Sequence, residues 1–244
     1  MNSKSLDASA EKIKKISKLL NREYGERIWR PSGDPLKVLI GTILSQNTSD
    51  NNSHQAFRNL KNRFKNWDDI RKAPTKRIEK AIKHGGLAKI KAKRIKDMRK
   101  HQEILNRIHK DNHNTNLSHL KKMETQKVIE YLKRFKGVGE KTVACVLLFS
   151  LGRPIIPVDT HVLRLSRRLD LIPEKTEPKK AHQILQKLVQ KNLVFSFHLN
   201  LIEHGRKICK AKNPRCDECV LFDLCKAFEK INLLKKGETS YAQN

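Results

Sequence analysis

The sequence predicts an all-α protein. Three observations lead there: apolar residues recur at intervals of three and four in segment after segment, short turn signals separate those segments, and β-branched runs are too few to build a sheet of any size. In order along the chain, EKIKKISKLL places Ile13, Ile16, Leu19 and Leu20 on one helical stripe. PSGDP at 31–35 then interrupts, and PLKVLIGTIL, SHQAFRNLKNRF and TQKVIEYLKRF repeat the 3.6-residue period. Pro74, HGG at 84–86, GVG at 137–139 and GRP at 152–154 mark further turns. HKDNHNTNLSH at 109–119 is the one polar stretch that reads as a linker, and KKGETSYAQN at the end reads as a frayed tail. Neither a repeat of solenoid length nor a low-complexity tract is visible.

Composition bounds the partners. The 244 residues carry 53 Lys+Arg against 25 Asp+Glu, a formal net charge of +28, and 37% of them are hydrophobic. That is enough apolar material for the core of one large or two small domains beneath a surface that binds polyanions. The charge is spread along the whole chain rather than gathered on one amphipathic helix, which favours nucleic acid over a lipid surface. No apolar h-region follows Met1 and no run approaches the roughly 20 apolar residues of a membrane span, so the expectation is an intracellular protein without a membrane partner.

Four of the five cysteines, Cys209, Cys216, Cys219 and Cys225, stand at a C-x6-C-x2-C-x5-C spacing. In a reducing compartment such a set argues for metal ligation, and four thiolates serve either a zinc ion or a [4Fe-4S] cluster. Zinc sites usually pair their ligands as two short knuckles, whereas only Cys216 and Cys219 form a close pair here, which tilts the choice toward iron–sulfur. Lys210, Lys212 and Arg215 lie between the first two ligands, so that loop presents cations suited to a phosphate backbone. Cys145, inside VACVLLF, reads as a small buried hydrophobe.

The stretch TQKVIEYLKRFKGVGEKTVACVLLFSLG reads as a helix-hairpin-helix: one helix ends near Phe135 and another begins around Glu140. Gly137 and Gly139 permit positive φ and carry no Cβ, so the backbone N–H groups of Gly137, Val138 and Gly139 can close on a phosphate beside Lys136. Lys141 falls in the first turn of the second helix. There it is either a phosphate contact or, if the helix dipole and burial disfavour its ammonium, a nucleophile. Asp159, in IIPVDTHVLRLSRRL, precedes a helix and so reads first as its N-cap.

Taken together, GVGEKT with Lys141, PVDTH with Asp159 and the cysteine spacing, in that order, closely resemble the endonuclease III family of DNA glycosylases. ILSQNTSDNN at 43–52 resembles the family's segment that enters the duplex beside a lesion. The resemblance covers nearly the whole chain. It implies a two-lobed fold: a six-helix domain at 41–152 holding the hairpin, and a discontinuous cluster domain of 1–40 and 153–244 whose loop 209–225 binds a [4Fe-4S] cluster, with DNA in the cleft between. It implies Lys141 as nucleophile and Asp159 as catalytic carboxylate, with Gln46 filling the gap left by a flipped base. Asn47, Asp50 and His161 are pocket candidates. The activity implied is that of a bifunctional glycosylase and AP lyase of base excision repair, acting on oxidised pyrimidines in double-stranded DNA. A lysine at 141 favours the strand-cutting branch over relatives that excise mismatched bases only. Lys136 stands where many relatives have proline. The expected state is a monomer, in the cytoplasm of a prokaryote or the nucleus of a eukaryote. Two alternatives stay open: another target base (8-oxoguanine, uracil or modified cytosine), and a non-catalytic iron–sulfur module that binds distorted duplex.

Overall fold

The computed structural model describes residues 3–30, 34–108 and 117–227, with the backbone alone of 3–7 and 99–108. Residues 31–33 of the first turn, 109–116 of the polar stretch and the tail at 235–244 lie outside that description. Among the described residues there is helix and no strand, as the periodicity predicts. The α-helices are α1 (Ser3–Tyr24), α2 (Pro35–Ser45), α3 (Asp50–Arg63), α4 (Trp67–Lys72), α5 (Thr75–Ala81), α6 (Ala88–Ile108), α7 (Thr125–Lys133), α8 (Glu140–Cys145), α9 (Thr160–Arg168), α10 (Pro178–Leu188) and α11 (Val194–Lys207). A π-helical turn, Val146–Ser150, continues α8. Local chemistry sets the starts. Asp34 caps α2 by accepting from Leu36 N at 2.9 Å, with Pro35 at the first helical position, and Ser49 and Asn66 cap α3 and α4.

The chain divides into two compact units, residues 31–153 and residues 1–30 with 154–244. The first is built around α2, whose Leu36, Leu39, Ile40, Ile43 and Leu44 are at most 1% exposed and which packs on α3, α6 and α8. Removing any of these side chains leaves a cavity that costs about 2–5 kcal/mol. One cation is built into this core. Lys91 is 1% exposed, and its Nζ donates to Leu44 O and Gly85 O, each at 2.7 Å. Burial lowers its pKa. The two carbonyls compensate a charge that would otherwise be strongly disfavoured there. They also tie the end of α2 to the turn before α6.

In the second unit α11 packs against α1 and α9. Ile13, Ile16 and Leu20 from α1 and Phe197 and Leu201 from α11 are buried. A polar seam runs through this contact: Asn200 Nδ2 donates to Asn21 Oδ1 at 2.9 Å and to Gly25 O at 3.0 Å, and Ser196 Oγ donates to Asn21 Oδ1 at 2.7 Å. Such groups are tolerated inside only because each is paired.

Candidate functional site

The hairpin lies in the unit of residues 31–153. After α7, Val138 N donates to Phe135 O at 3.0 Å, and Gly137 turns the chain at φ 83°. That backbone favours glycine. A second reason is steric: a Cβ at Gly137 would lie 2.6 Å from Arg94 Nε. Gly139 differs from the sequence expectation. It is extended at φ −97°, as the N-cap of α8, and a Cβ there would meet nothing within 4 Å. Its lack of a side chain therefore matters only for what approaches from outside. Val138 is 7% exposed and its N–H is already engaged, so it anchors the turn in the core.

Lys141 is half-buried, in the first turn of α8. Val143 N donates to Gly139 O at 3.0 Å, while the N–H groups before it belong to the helix's unpaired first turn. Lys136 is exposed, and Glu140 pairs with Lys133 at 3.7 Å.

Gln46, the residue that ends α2, reaches the same hairpin. Its Nε2 donates to Gly137 O at 3.0 Å, with Thr142 Oγ1 at 3.5 Å, and its Oε1 accepts from Arg94 Nη1 at 2.7 Å. Asn47 follows at φ 50°, exposed, in the left-handed region. Asp50 lies exposed in the first turn of α3, whose cap is Ser49. Beside this turn is a residue that the sequence did not single out. Leu87 is 51% exposed at φ 49°, directly after Gly86, where an added Cβ would lie 3.8 Å from Asn47 O. An exposed leucine held in a strained backbone is a feature to be explained by function. Its sequence signal, an apolar residue after two glycines, is faint.

Asp159 lies in the other unit. The extended segment before it is fixed by Gln186, whose Oε1 accepts from Ile156 N at 2.9 Å and whose Nε2 donates to Pro154 O at 2.9 Å. Asp159 caps α9, its Oδ1 accepting from Val162 N at 2.8 Å, and the residue stays half-exposed. A carboxylate has acceptor capacity well beyond that one bond. His161, in the first turn of α9, has Nδ1 3.1 Å from Arg164 Nη2. Burial is the main influence lowering its pKa, opposed by the Asp159 charge. Arg164 in turn donates to Gly205 O and Cys209 O, both at 2.9 Å, and so ties α9 to the start of the cysteine loop.

None of the five cysteines is in a disulfide, and Cys145 is 5% exposed in α8. Cys209, Cys216, Cys219 and Cys225 line one pocket together with Ile208, Pro214, Phe222, Arg168 and Arg215. Yet among the described residues no three Cys, His, Asp or Glu side chains converge tightly enough to hold a single metal ion. The apolar walls supplied by Ile208, Pro214 and Phe222 suit an iron–sulfur cluster held by four thiolates. The neighbours suit one as well. Arg168 Nη1 lies 3.1 Å from Cys209 Sγ and donates to Lys210 O at 2.7 Å, and His204 Nε2 lies 3.4 Å from Cys219 Sγ. Burial pushes the Cys219 thiol up to about 11, so that only a bound cation centre would draw off its proton at neutral pH. Lys210 and Lys212 are exposed, and Arg215, also exposed, forms a two-pronged pair with Glu218.

Residues 40–191 match the HhH-GPD superfamily of base excision DNA repair proteins, and residues 209–225 match the iron–sulfur binding domain of endonuclease III. Endonuclease III of Thermotoga maritima is 32% identical over 84% of this chain and 87% of its own. A protein of Arabidopsis thaliana is 39% identical over 76% of this chain, which spans 64% of that protein's length. A trapped endonuclease III–DNA covalent intermediate superposes with a TM-score of 0.74 at 25% identity, over 91% of this chain and 97% of that one. The fold and its site thus define a base-excision-repair glycosylase of the helix-hairpin-helix class. Within that superfamily the chain belongs to the endonuclease III family, iron–sulfur segment included.

Proposed function

We propose that the protein is a bifunctional DNA glycosylase and AP lyase that removes oxidised pyrimidines from double-stranded DNA. The observation that carries this reading is the position of Lys141, half-buried in the first turn of α8 immediately after the Gly137–Gly139 turn. A phosphate gripped by that turn brings a sugar within reach of the lysine amine. The amine attacks C1′, the base departs with its bonding electrons, and an iminium forms between Nζ and the opened sugar. The iminium acidifies the C2′ proton. Its loss expels the 3′ phosphate by β-elimination, so one lysine supplies excision and strand cleavage. Asp159 stabilises the positive charge that grows on the sugar as the glycosidic bond breaks. Support comes from the trapped covalent complex of endonuclease III among the similar structures.

Gln46, with Asn47 and the exposed Leu87 beside it, is the apparatus that enters the stack when the target base leaves it. Lys210 and Lys212 hold the backbone at the cluster loop, and the cluster itself supplies the fixed centre about which that loop is ordered. The test is a panel of duplexes, each with one defined lesion. Thymine glycol or a hydroxylated cytosine should be excised and the strand cut in the same reaction. Excision of 8-oxoguanine, uracil or 5-methylcytosine in preference to both would contradict the substrate assignment.

A further inference from the structure

Gln46, Arg94 and Gly137 form a closed ring of contacts. Arg94 Nη1 donates to Gln46 Oε1 at 2.7 Å, Gln46 Nε2 donates to Gly137 O at 3.0 Å, and the Arg94 guanidinium occupies the space that a side chain at Gly137 would need, 2.6–2.9 Å from an added Cβ. The three residues come from the end of α2, from α6 and from the hairpin, so the ring joins the glutamine to the turn that grips phosphate. Both ends of the Gln46 amide are used. The side chain is therefore held in one orientation, although a glutamine after a helix terminus would otherwise sample many rotamers. Thr142 Oγ1, one residue past Lys141, lies 3.5 Å from the same Nε2.

We propose that Arg94 is a positioning residue that pre-orients Gln46 against the phosphate-gripping hairpin, coupling capture of the DNA backbone to entry of Gln46 into the stack. This rests on the reading of Gln46 as the residue that enters the duplex. Arg94 is half-buried behind the hairpin, and its guanidinium is committed to Gln46 and packed against Gly137. Its effect should thus appear in the rate of duplex entry rather than in backbone affinity. Ordering one rotamer-rich side chain in advance is worth roughly threefold to tenfold in that rate.

The test needs no catalysis. The probe is a duplex carrying 2-aminopurine beside a tetrahydrofuran abasic analogue, which cannot be cleaved. Stopped-flow fluorescence reads the change in stacking, and anisotropy reads affinity. Arg94→Met should slow the fluorescence change by roughly threefold to tenfold, with a loss of affinity no larger than that of Lys93→Met, which removes an exposed cation of the same helix. Gln46→Ala should slow it as well, and the double variant should be no slower than the slower single one. Arg94→Lys keeps the charge without the guanidinium, so it should retain affinity and still be slow. It serves as the working variant should Arg94→Met fail to fold. Additive losses in the double variant, an Arg94→Lys protein as fast as wild type, an Arg94→Met protein altered no more than Lys93→Met, or no fluorescence change with the wild type would each overturn the proposal. A wild-type protein that shows the coupled response but excises no base would instead overturn the glycosylase reading and leave the role of Arg94 standing.

Discussion

His204 Nε2 lies 3.4 Å from Cys219 Sγ, and on its far side His204 Nδ1 lies 2.9 Å from Tyr24 Oη. The histidine is 1% exposed, and burial depresses its pKa to about 4, so a neutral ring spans from Tyr24 in α1 to Cys219 in the iron–sulfur segment. Partners of this kind orient a metal ligand and tune its basicity, and losing one typically costs 10–100-fold in metal affinity. His204→Leu should therefore lower the iron and sulfide retained per chain and hasten bleaching of the cluster in air. Tyr24→Phe, which removes only the outer contact, should do so less. Iron and sulfide analysis beside the visible spectrum checks both, and wild-type retention in His204→Leu would show that the contact is incidental.

The two hairpin glycines should separate by experiment. Gly137→Ala meets φ 83° and displaces Arg94, so it should destabilise by at least about 1–2 kcal/mol, the penalty for a side chain in the left-handed region. Gly139→Ala is extended and open, so its melting temperature should stay near wild type. Its cost should appear in affinity for duplex DNA, where a new methyl group meets the phosphate. Thermal unfolding paired with a binding titration distinguishes the two.

His161 should give the fold a pH dependence. The groups that face it are Asp159, which favours its charged form, Arg164 and Arg206, which oppose it, and the Gly205 backbone. With its pKa held below the ordinary value near 6.5, mainly by burial, the unfolded chain takes up a proton there before the folded chain does. Stability from this group is complete above pH ~6.5 and is lost as the pH falls from there through the lower folded value. His161→Gln should reduce the fall in denaturant-derived stability between pH 7 and 5 without abolishing it, because buried His204 contributes to the same window. An unchanged slope would mean that other groups carry it.

With a formal charge of +28, binding to undamaged duplex should weaken steeply with salt, at a log–log slope near −0.9 for each phosphate neutralised. Replacing Lys210 and Lys212 together should reduce that slope by roughly two units. Replacing Arg215 should matter less, because Glu218 already holds it.

What was legible in the sequence is what depends on near neighbours in the chain. The stripe of Ile13, Ile16 and Leu20, the cap at Asp159, and the start of α8 at Glu140 follow from spacing and side-chain chemistry. The Arg215–Glu218 pair was within reach too, since residues three apart in a tight turn meet. Lys91, Arg94 and His204 were not. Each has a defining partner 47, 48 or 180 positions away, and nothing in the local pattern separates a lysine that serves two buried carbonyls from the many lysines on the surface. Leu87 was hidden for a different reason: apolar residues signal core by default, and only the fold shows that this one faces outward.

The nucleophile is tested most directly by borohydride trapping on duplex DNA that contains an abasic site. Wild-type protein should give a covalent protein–DNA adduct, and peptide mapping should place the reduced linkage on Lys141. Lys141→Gln should abolish the adduct and strand cleavage while keeping most of the affinity, because the Gly137 turn survives the change. Asp159→Asn should still form some adduct on a preformed abasic site, while excision of a damaged base falls by about 10²-fold or more. An adduct at wild-type yield from Lys141→Gln would place the nucleophile on another amine and contradict the assignment of this hairpin lysine.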